Sequence, residues 1–141
     1  MKTILFPTDG SPTAGAAIEF LEDLARGEKA RVLVLSVAEK VDMGGVEDTS
    51  IEKALLDYAT TIVNKAEKAI KLKGLDVETM VTLGQPENEI LRVAKERGVR
   101  AIVMGTHGRT GLVRAVLGSV ADRVIRHAAC PVILIPVIVK D

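Results

Sequence analysis

Aromatic side chains are almost absent from this chain. They make up 2% of the residues, as Phe6, Phe20 and Tyr58, and there is no tryptophan. Proteins that bind single-stranded nucleic acid commonly stack the bases on aromatic rings, and this chain has few rings to offer. The scarcity argues against that class of protein, and it predicts a core built from aliphatic side chains.

An excess of one charge sign is also lacking. Nineteen lysine and arginine residues balance nineteen aspartate and glutamate residues, so the formal net charge is zero at pH 7. Binding to nucleic acid without sequence preference depends on a positive field over the protein surface. We therefore expect no nucleic acid partner.

Cysteine and long apolar runs are equally scarce. The single cysteine, Cys130, excludes an intramolecular disulfide and is compatible with a reducing cytoplasm. The apolar start of the chain is interrupted at Pro7, short of the length of a signal peptide, and Val132–Val139 is too short to span a bilayer. These features predict a cytoplasmic protein without a membrane segment.

What the chain does contain is enough apolar material for one core. Hydrophobic residues make up 48% and charged residues 27% of its 141 residues, and no internal repeat divides them. These proportions are typical of a globular protein, and the length suits one domain. We expect residues 1–141 to form a single domain.

Short apolar runs alternate along the chain with segments of helical periodicity. The β-branched run 31–38 is typical of a parallel strand near the middle of a sheet, and the alternating run 76–83 indicates an edge strand. The pattern predicts an α/β fold with an open, doubly wound parallel five-stranded sheet and four main helices. The predicted strands are 2–7, 31–38, 76–83, 99–104 and 130–139, and the predicted helices are 14–26, 49–73, 86–97 and 120–129.

Capping residues set the expected helix boundaries. Ser11 with Pro12 is suited to the start of the first helix and Gly27 to its end, while Thr49 and Glu52 have the spacing of a capping box. Residues 39–49 have no period and predict a mobile loop. One buried stripe is expected on the second helix, formed by Ile51, Leu55, Tyr58, Ile62 and Ala66.

The residues after the fourth predicted strand are rich in glycine. Glycines let backbone N–H groups approach a ligand, and a helix N-terminus adds partial positive charge. The spacing G-x-x-G-x9-G-S therefore favours a phosphate site. The simpler alternative is that Gly105 turns the chain and Ser119 caps a helix in a capping box with Asp122. The stretch 105–119 reads GTHGRTGLVRAVLGS and also contains two arginines, Arg109 and Arg114.

Two common nucleotide motifs are missing. The chain has no G-x-x-x-x-G-K-[ST], and no G-x-G-x-x-G follows the first strand. Ligands of open α/β sheets bind at the carboxyl ends of the strands, where the strand order reverses. If the first and fourth strands are neighbours there, Asp9 and the glycine stretch share one cleft. Asp9 could then bind ribose hydroxyls or help to place a metal ion such as Mg²⁺, or it could serve only as an Asx-turn residue.

Four short segments carry a resemblance to a known family. They are PTDGS at 7–11, GTHGR at 105–109, GSV at 118–120 and CPV at 130–132. Over nearly its whole length the chain resembles the universal stress protein family in its ATP-binding branch, whose fold is similar to that of adenine nucleotide alpha hydrolases.

The resemblance implies ATP, or a related adenine nucleotide such as ADP or AMP, held between the first and fourth strands. Mg²⁺ is a candidate companion of the nucleotide. It implies that Asp9 contacts the nucleoside, that the backbone of Val37 meets adenine and that Met104 lies near the base. The residues implied to bind the nucleotide are Pro7, Thr8, Asp9, Val37, Met104, Gly105, His107, Gly108, Arg109, Gly118, Ser119 and Val120.

The last predicted strand is unusually apolar for the edge of a sheet. An exposed apolar edge invites uncontrolled pairing unless something covers it. The resemblance implies the cover, since the family forms homodimers by antiparallel pairing of the last strands. We therefore expect a homodimer through Val132–Val137.

No residue of the sequence has the surroundings expected of a catalytic group. His107 could act as a base or donate to phosphate, but no carboxylate is spaced to orient it. We predict a nucleotide-binding regulatory protein of the stress response with no catalytic residue. The alternatives are a slow ATPase or nucleotidyl-transferring enzyme on the same fold, and a dimeric scaffold with an empty glycine loop.

Overall fold

Five parallel strands and four helices make up the computed structural model, which describes residues 1–11, 14–40, 44–45, 48–106 and 117–136. The strand order is β3-β2-β1-β4-β5, and every strand pair is parallel. The predicted α/β fold is confirmed. The elements are β1 Lys2–Pro7, α1 Ala14–Glu28, β2 Ala30–Glu39, α2 Thr49–Leu72, β3 Val77–Gly84, α3 Pro86–Arg97, β4 Ala101–Gly105, α4 Ser119–His127 and β5 Val132–Ile135.

The sheet has a hydrophobic core on each face. Successive side chains of a strand point to opposite faces, so Ile4 and Phe6 of β1 pack toward α1 and α2, whereas Leu5 packs toward α3 and α4. All three side chains are almost fully buried. As expected from the scarcity of aromatic residues, aliphatic side chains supply nearly all of both cores.

Several sequence predictions hold at the level of single residues. The alternating run forms β3, which is an edge strand. Helix α3 begins with Pro86 in its first turn, and Gly98 ends it in the left-handed conformation with φ 57°. Gly74, also left-handed at φ 77°, follows the end of α2. Glycine takes this conformation without steric strain.

The predicted end of α1 at Gly27 is wrong. The helix continues to Glu28, and the left-handed residue is Lys29, with φ 53°. β2 begins at the next residue, Ala30. The chain therefore turns at Lys29 to enter the sheet, and Gly27 stays inside the helix. Pro12, predicted to begin α1 with Ser11, lies outside the described residues.

The predicted capping box of α2 is also wrong. The N-cap is Asp48, whose carboxylate accepts hydrogen bonds from the N–H groups of Ser50 at 3.0 Å and Ile51 at 3.4 Å. Thr49 is the first helical residue rather than the cap. Of the loop predicted for 39–49, Glu39 belongs to β2, and residues 41–43 and 46–47 lie outside the described residues.

The buried stripe of α2 differs from the predicted one, since only Ala66 of the five predicted residues is buried. The buried residues of this helix are Ala59, Val63, Ala66 and Ile70. Tyr58 and Ile51 are exposed over 47% and 37% of their surfaces. The helix has 24 residues, about 36 Å, and all of its buried residues lie at Ala59 or beyond it in the chain.

The last two strands are shorter than predicted. β4 begins at Ala101, after Arg100 donates its N–H to the carbonyl oxygen of Thr3 at 2.8 Å. β5 ends at Ile135 before Pro136, which has no N–H to continue a ladder. Residues 137–141 lie outside the described residues. No helix within the described ranges combines the length and apolar character needed to cross a membrane.

Candidate functional site

A cleft of about 630 Å³ lies at the carboxyl ends of the strands. Chain order runs from β1 to β3 on one side of the sheet and from β4 to β5 on the other, so it reverses between β1 and β4. Such a switch point is the usual ligand site of an open α/β sheet. The volume is in the range of small-molecule sites.

The loop after β1 brings Asp9 to this cleft. Thr8 donates its N–H to the carbonyl oxygen of Leu35 at 2.9 Å and so continues the pairing with β2. The hydroxyl oxygen of Thr8 accepts from the N–H of Gly10 at 3.1 Å, and Oδ1 of Asp9 accepts from the N–H of Ser11 at 2.9 Å. Asp9 is thus an Asx-turn residue, and it also lines the cleft.

β2 extends beyond β1 and offers main-chain groups to the cleft. The register of the two strands ends at Pro7 and Leu35, whereas β2 continues to Glu39. The carbonyl of Leu35 faces β1, because it accepts from Thr8. Peptide groups of a strand alternate in direction with period two. The N–H and C=O of Val37 therefore point to the same side, where no described strand pairs with them.

The N-terminus of α4 faces the cleft without a side-chain cap. Its N-cap is Gly118, with φ −59° and ψ 148°, and Ser119 and Val120 begin the helix. The predicted Ser119–Asp122 capping box is therefore wrong, since the cap lies one residue earlier and has no side chain. Among the described residues, none accepts a hydrogen bond from the N–H of Ser119 or Val120. Such first-turn groups have no partner within a helix.

A different helix terminus at the cleft already carries negative charge. α3 has Glu87 and Glu89 in its first turn. Arg92 donates to Glu89 at 2.7 Å, and this bond lowers the pKa of the Glu89 carboxyl. The carboxylate of Glu87 lies 3.9 Å from the guanidinium of Arg123. Both helices present partial positive charge at their N-termini, and α4 has one acidic residue in its first turn, Asp122, where α3 has two. The N-terminus of α4 is therefore the less neutralised of the two.

The charged side chains of the cleft are acidic. Among the described lining residues they are Asp9, Glu39 and Glu87, and none of the described lining residues is lysine or arginine. The described ranges contain no group of three or more His, Cys, Asp or Glu placed to hold a metal ion. A phosphate would therefore depend on backbone N–H groups, on a cation that accompanies it, or on both.

The structure brings most of the predicted binding residues together. Those that line the cleft are Pro7, Thr8, Asp9, Val37, Met104, Gly105, Gly118, Ser119 and Val120. Three further predicted residues, His107, Gly108 and Arg109, lie outside the described residues. The role of all of them as ligand contacts stays a prediction.

Two walls of the cleft were not predicted from the sequence. α2 contributes apolar side chains, and α3 contributes its first turn and one apolar residue. The stripe predicted on α2 included Leu55, Tyr58 and Ile62, but its periodicity did not indicate that these residues face a cleft. The additional lining residues are Leu55, Tyr58, Ala59 and Ile62 from α2, Pro86, Glu87 and Ile90 from α3, and Gln85, the N-cap of α3.

Comparisons with known proteins agree with this architecture. The sequence model of the universal stress protein family matches residues 1–136. The chain is similar to universal stress protein MJ0531 of Methanocaldococcus jannaschii, at 34% identity over 138 residues, which covers 95% of this chain and 81% of that protein.

Two solved structures share both fold and sequence with the chain. One is protein MJ0577 of the same organism, with a TM-score of 0.88 and 30% identity over 99% of this chain and 98% of the other. The second is the universal stress protein of Archaeoglobus fulgidus in complex with dAMP, with a TM-score of 0.64 and 28% identity over 96% of this chain and 98% of the other.

Proposed function

The chain belongs to the universal stress protein family, and on this basis we propose that it binds an adenine nucleotide, foremost ATP, in the cleft between β1 and β4. One observation carries the proposal: three features line the same cleft. They are the main-chain N–H and C=O of Val37, the carboxylate of Asp9, and the N-terminus of α4, which has no side-chain cap. The dAMP complex of the Archaeoglobus fulgidus relative supports an adenine nucleotide as the ligand.

The main chain of Val37 recognises the base in this proposal. Its N–H donates to N1 of adenine, and its C=O accepts from the N6 amino group. Met104 lies beside the base, as its position in the lining allows. A donor and an acceptor on one residue match adenine and oppose guanine, whose corresponding groups have the reverse polarity.

Asp9 and α4 take the ribose and the phosphates. The carboxylate of Asp9 accepts from the ribose hydroxyls, since one of its oxygens is held in the Asx turn and orients the group. Phosphate oxygens accept from the first-turn N–H groups of α4 and from the backbone at Gly105, as anions do at helix N-termini. His107, Gly108 and Arg109 complete the phosphate side. Because the described lining is acidic, the nucleotide enters with Mg²⁺.

The protein acts through occupancy of this cleft rather than through chemistry. A ligand that binds one conformation more tightly shifts the population toward it. In the proposed role, residues 1–141 form one domain that pairs as a homodimer through Val132–Val137 and responds to nucleotide in the cytoplasm during stress. The sequence contains no motif that identifies the protein partner responding to this conformational change.

Calorimetry with ATP, ADP and AMP tests the proposal. Asp9→Asn keeps an oxygen for the Asx turn but removes the charge, so it should weaken ATP binding by about tenfold or more, the range for hydrogen bonds to charged groups. Asp76→Asn is the matched control, because Asp76 is exposed at the opposite end of the sheet and pairs with Arg31. The proposal would be wrong if the wild-type protein bound ATP with no dissociation constant below the millimolar range.

The same samples test the enzymatic alternative. Nucleotide recovered after long incubation should be unhydrolysed in a regulatory binding protein. Hydrolysis that persists through purification and falls in Asp9→Asn would instead identify a slow ATPase. Hydrolysis equal in both proteins would indicate a contaminating enzyme.

A further inference from the structure

Helix α2 contacts the loop that carries Asp9. A methyl carbon built on Gly10 would lie 3.3 Å from Cγ1 and 3.5 Å from Cδ1 of Ile62. Gly10 also has φ 82°, in the left-handed region. The backbone thus passes so close to Ile62 that a larger residue would be both strained and crowded. The contact joins α2 to the loop at one well-defined point.

This contact falls within a turn that sets the direction of the Asp9 carboxylate. The N–H of Gly10 donates to the hydroxyl of Thr8 at 3.1 Å, and the N–H of Ser11 donates to Oδ1 of Asp9 at 2.9 Å. Both bonds require the backbone at Gly10 to keep its conformation. The Ile62 side chain packs against the turn at this residue.

The position of Ile62 is itself fixed by the core. Its neighbour Val63 is buried, with 2% of its surface exposed, and packs with β1 and β2 in the core that α2 covers. Ile62 therefore presents its side chain to Gly10 from a helix that cannot easily shift.

From these contacts we propose that Ile62 is a positioning residue for Asp9 in nucleotide binding. The inference rests on the proposed function. Ile62 holds the turn of residues 8–11 against α2 so that the Asp9 carboxylate points at the ribose. Its effect on binding therefore passes through Asp9, although its side chain also lines the cleft.

A double-mutant cycle separates this role from direct contact with the ligand. Ile62→Ala should weaken ATP binding by about tenfold, as Asp9→Asn does, and the double variant should bind as weakly as Asp9→Asn alone, because the two residues act on one interaction. If the two losses multiply in the double variant, Ile62 acts independently of Asp9 and the inference is overturned.

The ribose supplies a readout that loss of packing alone would not move. Wild-type protein should prefer ATP over 2′,3′-dideoxy-ATP, and Ile62→Ala should lose this preference. Ile62→Val keeps Cγ1, the Ile62 atom that lies nearest to Gly10. This variant should therefore show the same preference for ATP as the wild type. Leu55→Ala is the matched control from the same helix and the same cleft; it should keep the preference. Retention of the preference in Ile62→Ala would refute the positioning role.

Amide hydrogen exchange of the free protein gives a test without ligand. Ile62→Ala should speed exchange of the Gly10 and Ser11 amides, whose bonds depend on the turn, whereas Leu55→Ala should not. Unchanged exchange in Ile62→Ala overturns the inference. If the wild-type protein does not bind ATP, the proposed function itself is wrong. The titration of the wild type alone therefore distinguishes failure of the proposed function from failure of the Ile62 inference.

Discussion

The backbone N–H of Gly118 lies 2.8 Å from the carbonyl oxygen of Thr106. Thr106 follows β4 and donates its own N–H to the carbonyl of Ile135 in β5 at 3.0 Å. One residue therefore connects the N-cap of α4 to the last strand of the sheet. This arrangement fixes the start of α4 beside the carboxyl end of β4, where a phosphate would meet it.

The glycine cap of α4 predicts opposite effects on stability and on binding. Gly118→Asp supplies a carboxylate for the first-turn N–H groups, and the backbone at this position already has angles that any residue adopts. We expect the free protein to gain a few tenths of a kcal/mol and ATP binding to be lost, because the carboxylate occupies the phosphate position and repels it. Calorimetric unfolding and ATP titration measure the two effects.

Gly118→Asn is the control for this change. Asparagine caps a helix about as well as aspartate but carries no charge, so its ATP affinity should lie between those of wild type and Gly118→Asp. Undiminished ATP binding by Gly118→Asp would show that the phosphates do not meet this terminus.

The main-chain N–H and C=O of Val37 predict a preference among bases. ATP should bind at least about tenfold more tightly than ITP, because inosine sets an N1–H against the N–H of Val37 and an oxygen against its C=O, which leaves these groups unpaired. Competition titrations measure the ratio. Val37→Ala should keep the same ratio, since it changes no main-chain group. Equal affinity for ATP and ITP would contradict the base contact.

Two glycines near the ends of α1 and α2 predict stability changes of opposite sign. A methyl carbon on Gly27, inside α1, has no neighbour within 4 Å, so Gly27→Ala should raise the free energy of unfolding by about 0.5–1 kcal/mol. Gly74 has φ 77°, so Gly74→Ala should lower it by about 1–2 kcal/mol. Urea denaturation measures both. Destabilisation by Gly27→Ala would contradict its place within the helix.

The cap of α2 predicts a dependence of stability on pH. Hydrogen bonds from the Ser50 hydroxyl and from the N–H groups of Ile51 and Ser50 hold the pKa of Asp48 below its ordinary value of 3.8. A carboxyl with a lowered folded-state pKa contributes stability above its unfolded-state pKa and loses it as the pH falls through the folded-state value. The contribution of Asp48 should therefore be complete at pH 7 and vanish in strong acid.

Asp48→Asn isolates this contribution. Asparagine also accepts hydrogen bonds at an N-cap but does not titrate. The melting temperature of wild type should exceed that of Asp48→Asn at pH 7, and the two should converge well below pH 3.8. A gap that stays constant with pH would show that the charge of Asp48 does not stabilise α2.

The order and type of the elements followed from the sequence because neighbouring residues determine them. The run 31–38 needs both of its faces covered, and Gly98 suits a helix end wherever the helix lies. Gly27 is different, since glycine fits a helix interior as well as an end. The start of β2 at Ala30 decides where the turn must fall, and this is a property of the sheet rather than of the helix.

The part of the candidate site formed by residues at the carboxyl ends of strands was predicted from the sequence. Asp9, Met104 and Gly105 follow β1 or end β4, and the carboxyl-end rule places such residues at one cleft. Ile62 and Glu87 come from helices, and periodicity shows only which helical residues share a face. What that face packs against depends on where the helix crosses the sheet, which no local pattern encodes.

The extension of β2 past β1 makes the contact at Val37 independent of its side chain. The N–H and C=O of residue 37 face the cleft, so a replaced side chain leaves the donor and acceptor in place. A deletion of one residue before it would turn these two groups toward β3 instead, because the direction alternates along the strand. A main-chain contact of this kind is therefore sensitive to the length of the strand and insensitive to point substitution.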